Sequence, residues 1–178
     1  MKIILLQPSL RKNSLTAEIL QEFQNLLVGN AGMRSSESNM RSENYEIETI
    51  DLQEKQLEFC DGRELTAYNN DVQEIYQKLK SADIVILGFP VYHYGISGVL
   101  KNLLDICGEA LIGKKVWVIV SALLPDCHMA YEHFFESFEK KYSIDTIQEV
   151  PYILNWDFQA WKLGLLGKGK LQKLVKIL

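Results

Sequence analysis

The sequence has few cysteines and no excess of positive charge. Its 178 residues include only three cysteines, Cys60, Cys107 and Cys127. An odd number of widely spaced thiols argues against a disulfide framework and favours a reducing compartment. The formal net charge of −4 and the pI near 5.4 argue against a nucleic-acid partner, because binding to phosphate backbones needs a net basic face. We therefore expect free, buried thiols and no nucleic-acid partner.

Long hydrophobic runs are also absent. The longest, such as residues 116–125, are far shorter than the ~20 apolar residues that span a bilayer. The N-terminus passes directly into a short strand-like run without a small-residue cleavage site, so we expect no signal peptide and no membrane anchor. A chain of 178 residues suits one domain over 1–178. These features predict a cytoplasmic, single-domain protein.

The stretch 82–105 carries the clearest pattern in the chain. Residues 84–89 form an unbroken apolar run rich in β-branched side chains, which predicts a buried parallel strand that ends at Pro90. An aromatic turn over 91–95 comes next. Apolar residues with helical spacing then follow at Val99, Leu100, Leu103 and Leu104. This succession of strand, loop and helix is half of a βαβ unit.

Four further segments are interpreted as strands that alternate with helices. Strands are predicted at 3–6, 45–52, 115–121 and 146–153, the last interrupted by Pro151. Helices are predicted to begin after Asn13-Ser14, at Asp71 and before Phe134. Five alternating strands predict a doubly wound parallel sheet of the flavodoxin type, in the order 2-1-3-4-5, with helices on both faces. Ligands of such sheets bind beyond the carboxyl ends of the strands.

Two segments fall outside this alternation. Residues 29–44 contain mainly Gly, Ser, Asn and Arg, so we expect a flexible surface loop. Residues 158–178 combine lysines and leucines without any acidic residue, and they predict a basic helical segment at the C-terminus. This segment either packs on the sheet with a solvated lysine face or contacts an acidic partner or a cofactor phosphate.

The loop between the first strand and the first helix has the composition of an anion site. A helix N-terminus offers unpaired N–H groups and the positive end of a dipole. Ser9, Ser14 and Thr16 add hydroxyl donors, and Arg11 adds a planar guanidinium that can hold two phosphate oxygens. The same residues would also suit an ordinary capped helix with exposed cations. The pattern alone leaves both interpretations open.

This loop resembles the phosphate loop of the NADPH-dependent FMN reductase family. That family has the pattern Gly-Ser-x-Arg-x-x-Ser, which Ser9, Arg11 and Ser14 match. Residues 90–95, which are followed by a Leu-Lys-Asn run, are similar to the second flavin loop of the family. The resemblance covers roughly residues 1–121.

What the resemblance implies is FMN as the cofactor and NAD(P)H as the co-substrate. The implied phosphate ligands are Ser9, Arg11, Ser14, Leu15 and Thr16, and the implied ring contacts are Pro90, Val91, Tyr92, His93, Tyr94 and Gly95. The physical chemistry agrees, because an isoalloxazine ring needs an apolar platform and a few donors at its polar edge. The two tyrosines could equally serve loop packing or a dimer contact, and the histidine either donates to the flavin or faces solvent.

Two positions depart from the pattern of the family. Pro8 stands where the family has Gly. The third loop, 121–126, has no glycine to let the backbone approach the pyrimidine edge of a flavin. The backbone or hydroxyl of Ser121 is the candidate donor at that edge, where it would stabilise the reduced flavin.

The cysteines and histidines do not complete a metal site. The stretch that begins at Cys60 resembles the iron-sulfur flavoprotein branch of the same superfamily, but only this cysteine remains of the group that holds a cluster there, so we expect no iron-sulfur centre. Cys127, His128 and His133 have no carboxylate at a fitting spacing, and we expect neither a metal nor a nucleophile there.

The leading hypothesis is an FMN-binding, NAD(P)H-dependent flavin or quinone oxidoreductase. The cofactor carries the chemistry, so no catalytic acid or base residue is required. The alternative is a flavodoxin-like electron carrier that holds FMN without oxidising NAD(P)H, and a third possibility is a relic site that binds nothing. The resemblance also implies a homodimer, paired through the helix that bears Val99, Leu103 and Cys107.

Replacing both Arg11 and Ser14 by alanine is expected to weaken FMN binding at least about tenfold, because each residue would supply a charge-assisted hydrogen bond to the phosphate. A fluorescence titration with FMN measures this change. Unchanged affinity would contradict the phosphate assignment.

Overall fold

A mainly parallel sheet with helices on both faces organises the chain. The computed structural model describes residues 1–34, 45–123, 128–146, 152–154, 157–159 and 162–176. In this part of the chain, no helix is both long and apolar enough to span a bilayer.

The elements alternate along the chain as strand and helix. The strands are β1 (Lys2–Gln7), β2 (Glu46–Asp51), β3 (Ile84–Tyr92), β4 (Gly95–Ile96), β5 (Lys115–Ala122), β6 (Asp145–Thr146), β7 (Tyr152–Leu154), β8 (Phe158–Gln159) and β9 (Lys162–Leu163). The helices are α1 (Leu15–Arg34), α2 (Asn70–Ser81), α3 (Gly98–Cys107), α4 (His128–Tyr142) and α5 (Leu165–Val175).

The order of the strands confirms a doubly wound α/β sheet. The main path runs β2-β1-β3-β5-β6, and all of its neighbours are parallel. Strand β7 pairs with the carboxyl end of β5, so β6 and β7 share the fifth position of the predicted order 2-1-3-4-5. The single last strand predicted for 146–153 is therefore two short strands, and Pro151 lies outside the described residues.

The apolar strands are buried on both faces because helices cover both sides of the sheet. Successive side chains of β1 point to opposite faces. Ile3 and Leu5 join one core cluster with residues of α1 and α5, whereas Ile4 and Leu6 join a second cluster with residues of α2, α3 and α4. Helices α1 and α3 therefore pack on opposite faces.

The central strand does not end at Pro90, contrary to the prediction. Strand β3 continues to Tyr92, and Pro90 is in register with Ser121 of β5. Pairing of β3 with β1 ends at Leu87, so the last residues of β3 have a parallel neighbour on one side only. A residue without an N–H group is tolerated at such an edge.

Helix α1 also extends beyond its predicted end. The loop predicted for 29–44 would begin at Gly29, but the helix continues to Arg34, and residues 35–44 lie outside the described residues. Ile19, Phe23 and other buried residues of α1 pack against the sheet and stabilise the first turns of the helix. Further turns then extend a helix that has already formed, which costs less than starting one. One exposed glycine does not end such a helix, because it costs only about 1 kcal/mol.

The C-terminal segment is a hairpin followed by a helix. Strands β8 and β9 pair antiparallel, so within the described residues of the predicted helical segment 158–178 the helix covers Leu165–Val175. The buried side chains of α5 pack against the α1 face of the sheet. Two of its lysines form ion pairs within the chain, Lys168 with Glu22 at 2.9 Å and Lys170 with Asp157.

Two of the three residues proposed for dimer contact are not available to a partner. Leu103 and Cys107 are fully buried in the core under α3, and Val99 packs against the same core. Burial raises the pKa of the Cys107 thiol to about 12. Cys60, in contrast, is exposed, so the expectation of a buried thiol is wrong for this residue. A dimer would have to use residues other than Leu103 and Cys107.

The close approach of α1 to β3 depends on a glycine. A Cβ atom at Gly88 would lie 2.6 Å from the Thr16 methyl carbon and 2.8 Å from a methyl carbon of Leu20. We expect Gly88→Ala to lower the free energy of unfolding by about 1–3 kcal/mol through this overpacking. Chemical denaturation measures the change.

Gly29 provides the matched control. It lies within α1, and a Cβ atom there would meet nothing within 4 Å. Gly29→Ala is expected to raise the free energy of unfolding by about 0.5–1 kcal/mol, from helix propensity. A Gly88→Ala variant as stable as the unmodified protein would contradict the close packing.

Candidate functional site

Three loops meet at the carboxyl edge of the sheet, after β1, β3 and β5. Strands β1 and β3 are neighbours, but the chain leaves β1 toward the α1 face and leaves β3 toward the α3 face. This divergence opens a crevice at the switch point of the sheet, the usual ligand site of the architecture. Of the seven buried polar or charged residues in the described part of the chain, five lie at this edge: Gln7, Ser9, Ser14, Thr16 and Ser121.

Ser14 caps helix α1, as the sequence predicts. Its Oγ accepts a hydrogen bond from the N–H of Ala17 at 3.1 Å, and its carbonyl accepts from the N–H of Glu18 at 3.1 Å. Because Oγ acts as an acceptor here, the hydroxyl proton can still be donated outward. The N–H groups of Leu15 and Thr16 begin the helix and have no carbonyl partner within it.

Gln7 holds the start of the first loop. Its side-chain Nε2 donates to the carbonyl of Ser9 at 3.0 Å and to Oδ1 of Asp51 at 2.8 Å, and its Oε1 accepts from the N–H of Ser9. The Ser9 hydroxyl oxygen accepts in turn from the N–H of Arg11 at 3.5 Å. Sequence reasoning missed Gln7, and the available signal was a polar side chain at the end of an apolar strand.

Arg11 connects the first loop to the second. Its guanidinium carbon lies 5.6 Å from the centroid of the Tyr92 ring, within the range of a cation–π contact. Among the described residues, Arg11 forms no ion pair. Its charge at the crevice is therefore not neutralised by a carboxylate of the described chain.

The second loop is a two-residue hairpin. Strand β4 pairs antiparallel with the end of β3, and His93 and Tyr94 form the turn with φ angles of 48° and 60°. Two residues with positive φ define a type I′ turn, which normally favours Asn-Gly. Tyr92 and Tyr94 are 40% and 53% exposed, and His93 is also exposed. This strained, aromatic tip lies next to the first loop, because Arg11 contacts the ring of Tyr92.

Pro90, Val91 and Gly95 support this tip from within the strands. Pro90 and Val91 belong to β3 and Gly95 belongs to β4, so these three residues form the base of the hairpin. Ser97 follows and caps α3, because its Oγ accepts from the N–H of Leu100 at 3.3 Å. The predicted aromatic turn is thus narrower than 91–95.

Ser121 and Thr16 bind each other across the edge of the sheet. Their hydroxyl oxygens are 2.8 Å apart, and both side chains are buried. One hydroxyl donates and the other accepts, so the accepting hydroxyl keeps a proton for another partner. The Thr16 side chain therefore faces β5, and its backbone N–H lies in the first turn of α1.

The remaining sequence candidates lie elsewhere or outside the described residues. The backbone N–H of Cys60 donates to Oδ1 of Asn102 on α3 at 2.8 Å, which ties the exposed cysteine to that helix. Residue Cys127 and the side chains of His128 and His133 lie outside the described residues. Leu123, the last described residue of the third loop, is exposed.

The turn at the hairpin tip generates a prediction about stability. Replacing His93-Tyr94 by Asn-Gly is expected to raise the free energy of unfolding by about 1–2 kcal/mol, because Asn and Gly accept positive φ at little cost. Denaturant unfolding measures the gain, and FMN titration of the same variant is expected to show weaker binding because Tyr94 is lost. A less stable variant would contradict the assigned turn.

Ser143 offers a control outside the crevice. It has a φ of 49° directly after α4, and its N–H donates to the carbonyl of Glu139 at 2.9 Å. Ser143→Gly is also expected to stabilise the protein, since glycine suits this helix-ending position, but to leave FMN affinity unchanged.

Comparison with known proteins finds flavin-dependent relatives. A NAD(P)H-dependent FAD/FMN reductase of Geobacillus thermodenitrificans is 37% identical over 76 residues, which are 43% of this chain and 41% of that protein. An iron-sulfur flavoprotein of Methanocaldococcus jannaschii is 36% identical over 90 residues, or 47% of each chain. The chain thus spans less than half of the length of these curated relatives.

The fold has close structural counterparts. The crystal structure of an oxidoreductase from Corynebacterium diphtheriae superposes with a TM-score of 0.74 at 15% identity, over 98% of this chain and 92% of that one. At this identity the likeness shows the fold alone.

A match to the sequence model of a protein family identifies the family of this chain. The model of the NADPH-dependent FMN reductase family matches residues 1–139, which include all three loops of the crevice. The match confirms the resemblance drawn from Ser9, Arg11 and Ser14, and with it an oxidoreductase family that works with FMN and NADPH. The chain belongs to the NADPH-dependent FMN reductase family.

Proposed function

We propose that the protein binds FMN at the carboxyl edge of the sheet and uses it to oxidise NAD(P)H. The observation that carries this proposal is the convergence of three loops on one crevice. The guanidinium carbon of Arg11 in the first loop lies 5.6 Å from the ring centroid of Tyr92 in the second. The hydroxyl oxygen of Thr16 lies 2.8 Å from that of Ser121 in the third. Such a crevice joins an anion site to an aromatic platform. These two features match the two parts of FMN that need recognition, the phosphate and the isoalloxazine ring.

The first loop suits the phosphate. Ser9 and Ser14 present hydroxyl groups that accept from the backbone on one side and can donate on the other. Arg11 supplies a guanidinium without a carboxylate partner in the described chain, and the first N–H groups of α1 point along the positive end of the helix dipole. This donor set fits a phosphate, which accepts hydrogen bonds and carries negative charge.

The second and third loops suit the ring. The tip of the hairpin offers Tyr92, His93 and Tyr94 as an aromatic surface, and Pro90 and Val91 form the apolar base. The paired hydroxyls of Thr16 and Ser121 retain one proton to donate at the pyrimidine edge. When bound, FMN supplies the ring that accepts and releases hydride, and these residues position it and exclude water.

The acceptor is proposed to be a small, flat molecule such as a flavin or a quinone. Four exposed apolar or aromatic residues come from the three loops, namely Leu10, Tyr92, Tyr94 and Leu123. Apolar walls with few polar groups favour a planar acceptor stacked near the flavin.

A homodimer is also part of the proposal. The same exposed residues would be covered in part by a second copy, which replaces the buried α3 face as the expected contact. Sedimentation that shows only a 20.4 kDa species would contradict the dimer. We also propose a cytoplasmic location, because the exposed free thiol of Cys60 suits a reducing compartment.

The experiment that tests the function is the steady-state oxidation of NADPH and NADH with excess FMN or a quinone as acceptor. We expect turnover by the unmodified protein, and at limiting FMN a loss of at least about tenfold when Arg11 and Ser14 are both alanine. Lys12→Ala is the matched control, because Lys12 is exposed in the same loop but is not among the proposed phosphate ligands.

The outcomes separate the possible functions. Bound FMN without oxidation of either nicotinamide would contradict the enzyme and favour an electron carrier. The glycine-free third loop, where Ser121 and Ala122 are buried, is the observation that favours this second candidate. A protein that neither binds FMN nor oxidises NAD(P)H would contradict both functions.

A further inference from the structure

We infer that Gln7 is a positioning residue that holds the first loop in the shape that binds the FMN phosphate, and that Asp51 holds Gln7. This inference rests on the proposed function, because it names how the same site is kept ready for its ligand. Neither residue belongs to the family pattern that Ser9, Arg11 and Ser14 match.

The side-chain amide of Gln7 forms the hydrogen bonds that a backbone peptide group would form, with one donor and one acceptor. One side-chain amide both accepts from the N–H of Ser9 and donates to its carbonyl, the latter at 3.0 Å. It thereby satisfies both backbone groups of the residue that begins the proposed phosphate site. Gln7 is 2% exposed, so water cannot replace these bonds.

Pro8 explains why a side chain is used for this purpose. Pro8 has no N–H to donate, and it cannot adopt the left-handed conformations open to the glycine that the family has at this position. The turn after β1 must therefore be held by something other than its own backbone. The Gln7 amide lies immediately before Pro8 and bonds to the residue immediately after it.

Asp51 fixes the orientation of the amide. Gln7 and Asp51 are register partners at the carboxyl ends of β1 and β2, and Nε2 of Gln7 donates to Oδ1 of Asp51 at 2.8 Å. The same oxygen accepts from the N–H of Gln53 at 2.9 Å, so the carboxylate itself is held by the chain. An amide whose Nε2 faces Asp51 must direct Oε1 toward the N–H of Ser9.

The ordering extends from Ser9 into the phosphate site. The Ser9 hydroxyl oxygen accepts from the N–H of Arg11, and the Arg11 guanidinium lies over the ring of Tyr92. A series of direct contacts thus joins the end of β2 to the tip of the hairpin. Loss of the Gln7 amide is expected to release Ser9 and Arg11, whereas the pairing of β3 with β4 continues to hold the hairpin that bears the aromatic platform.

The test compares FMN with riboflavin, which carries the same ring but no phosphate. In Gln7→Met, which keeps the length of the side chain without its amide, we expect FMN to bind at least about tenfold more weakly. Riboflavin is expected to change by less than about twofold, since it makes no phosphate contact. Fluorescence titration measures both affinities, and circular dichroism and thermal unfolding monitor the fold.

Substitutions at Asp51 separate positioning from charge. If the carboxylate acted only by repelling the phosphate, Asp51→Ala would strengthen FMN binding. We expect it to weaken FMN binding, because Gln7 loses its anchor. Asp51→Asn retains an acceptor oxygen for Gln7 and is expected to bind FMN within about twofold of the unmodified protein.

Gln7→Glu provides a second variant in case Gln7→Met does not fold. The carboxylate can still accept from the N–H of Ser9 but cannot donate to its carbonyl or to Asp51, so FMN is expected to bind more weakly here too. Gln172→Glu on the exposed face of α5 adds the same charge away from the site and should leave both affinities unchanged.

The outcomes are distinct. Equal weakening of FMN and riboflavin, or no change in either, would overturn the inference about Gln7 and leave the proposed function intact. Failure of the unmodified protein to bind FMN would overturn the proposed function and the inference together. Selective loss of FMN affinity in Gln7→Met, with Asp51→Asn unaffected, is the result that supports the inference.

Discussion

The placement of β3 between β1 and β5 is the constraint on which the site depends. Pairing with β1 ends at Leu87, whereas pairing with β5 continues to Pro90. The end of β3 therefore projects beyond the last partner in β1, and the first loop turns into the space that remains. Because α1 and α3 cover opposite faces, the loops after β1 and β3 diverge, and the crevice between them follows from topology.

Polar contacts then shape this crevice in a chain whose loops depart from the family pattern. Gln7 satisfies Ser9 where Pro8 stands in place of glycine, and Thr16 binds Ser121 at the edge of a loop that also has no glycine. At both places, where the family has glycine, side-chain hydrogen bonds hold the loop instead. These hydrogen bonds link residues of the first and third loops at the carboxyl edge of the sheet.

Much of the fold could be predicted from the sequence because strands and helices leave periodic patterns. The strand order and the Ser14 cap were predicted correctly, since both depend on local patterning and general topology. The predicted end of β3 was wrong, because a strand tolerates a proline such as Pro90 only where no neighbouring strand needs its N–H group, and the sequence does not show the neighbours. Gln7 was missed because its partner Asp51 is distant in sequence, and a polar residue at the end of an apolar strand does not by itself indicate which groups it binds. The relation of the predicted site residues to FMN stays a prediction.

The most direct test of the central claim is the visible absorbance of the purified protein after FMN has been added and the excess removed by gel filtration. The account predicts that oxidised flavin bands near ~370 and ~450 nm remain with the protein. Protein that emerges without these bands at concentrations above micromolar would contradict the claim that the three loops form an FMN site.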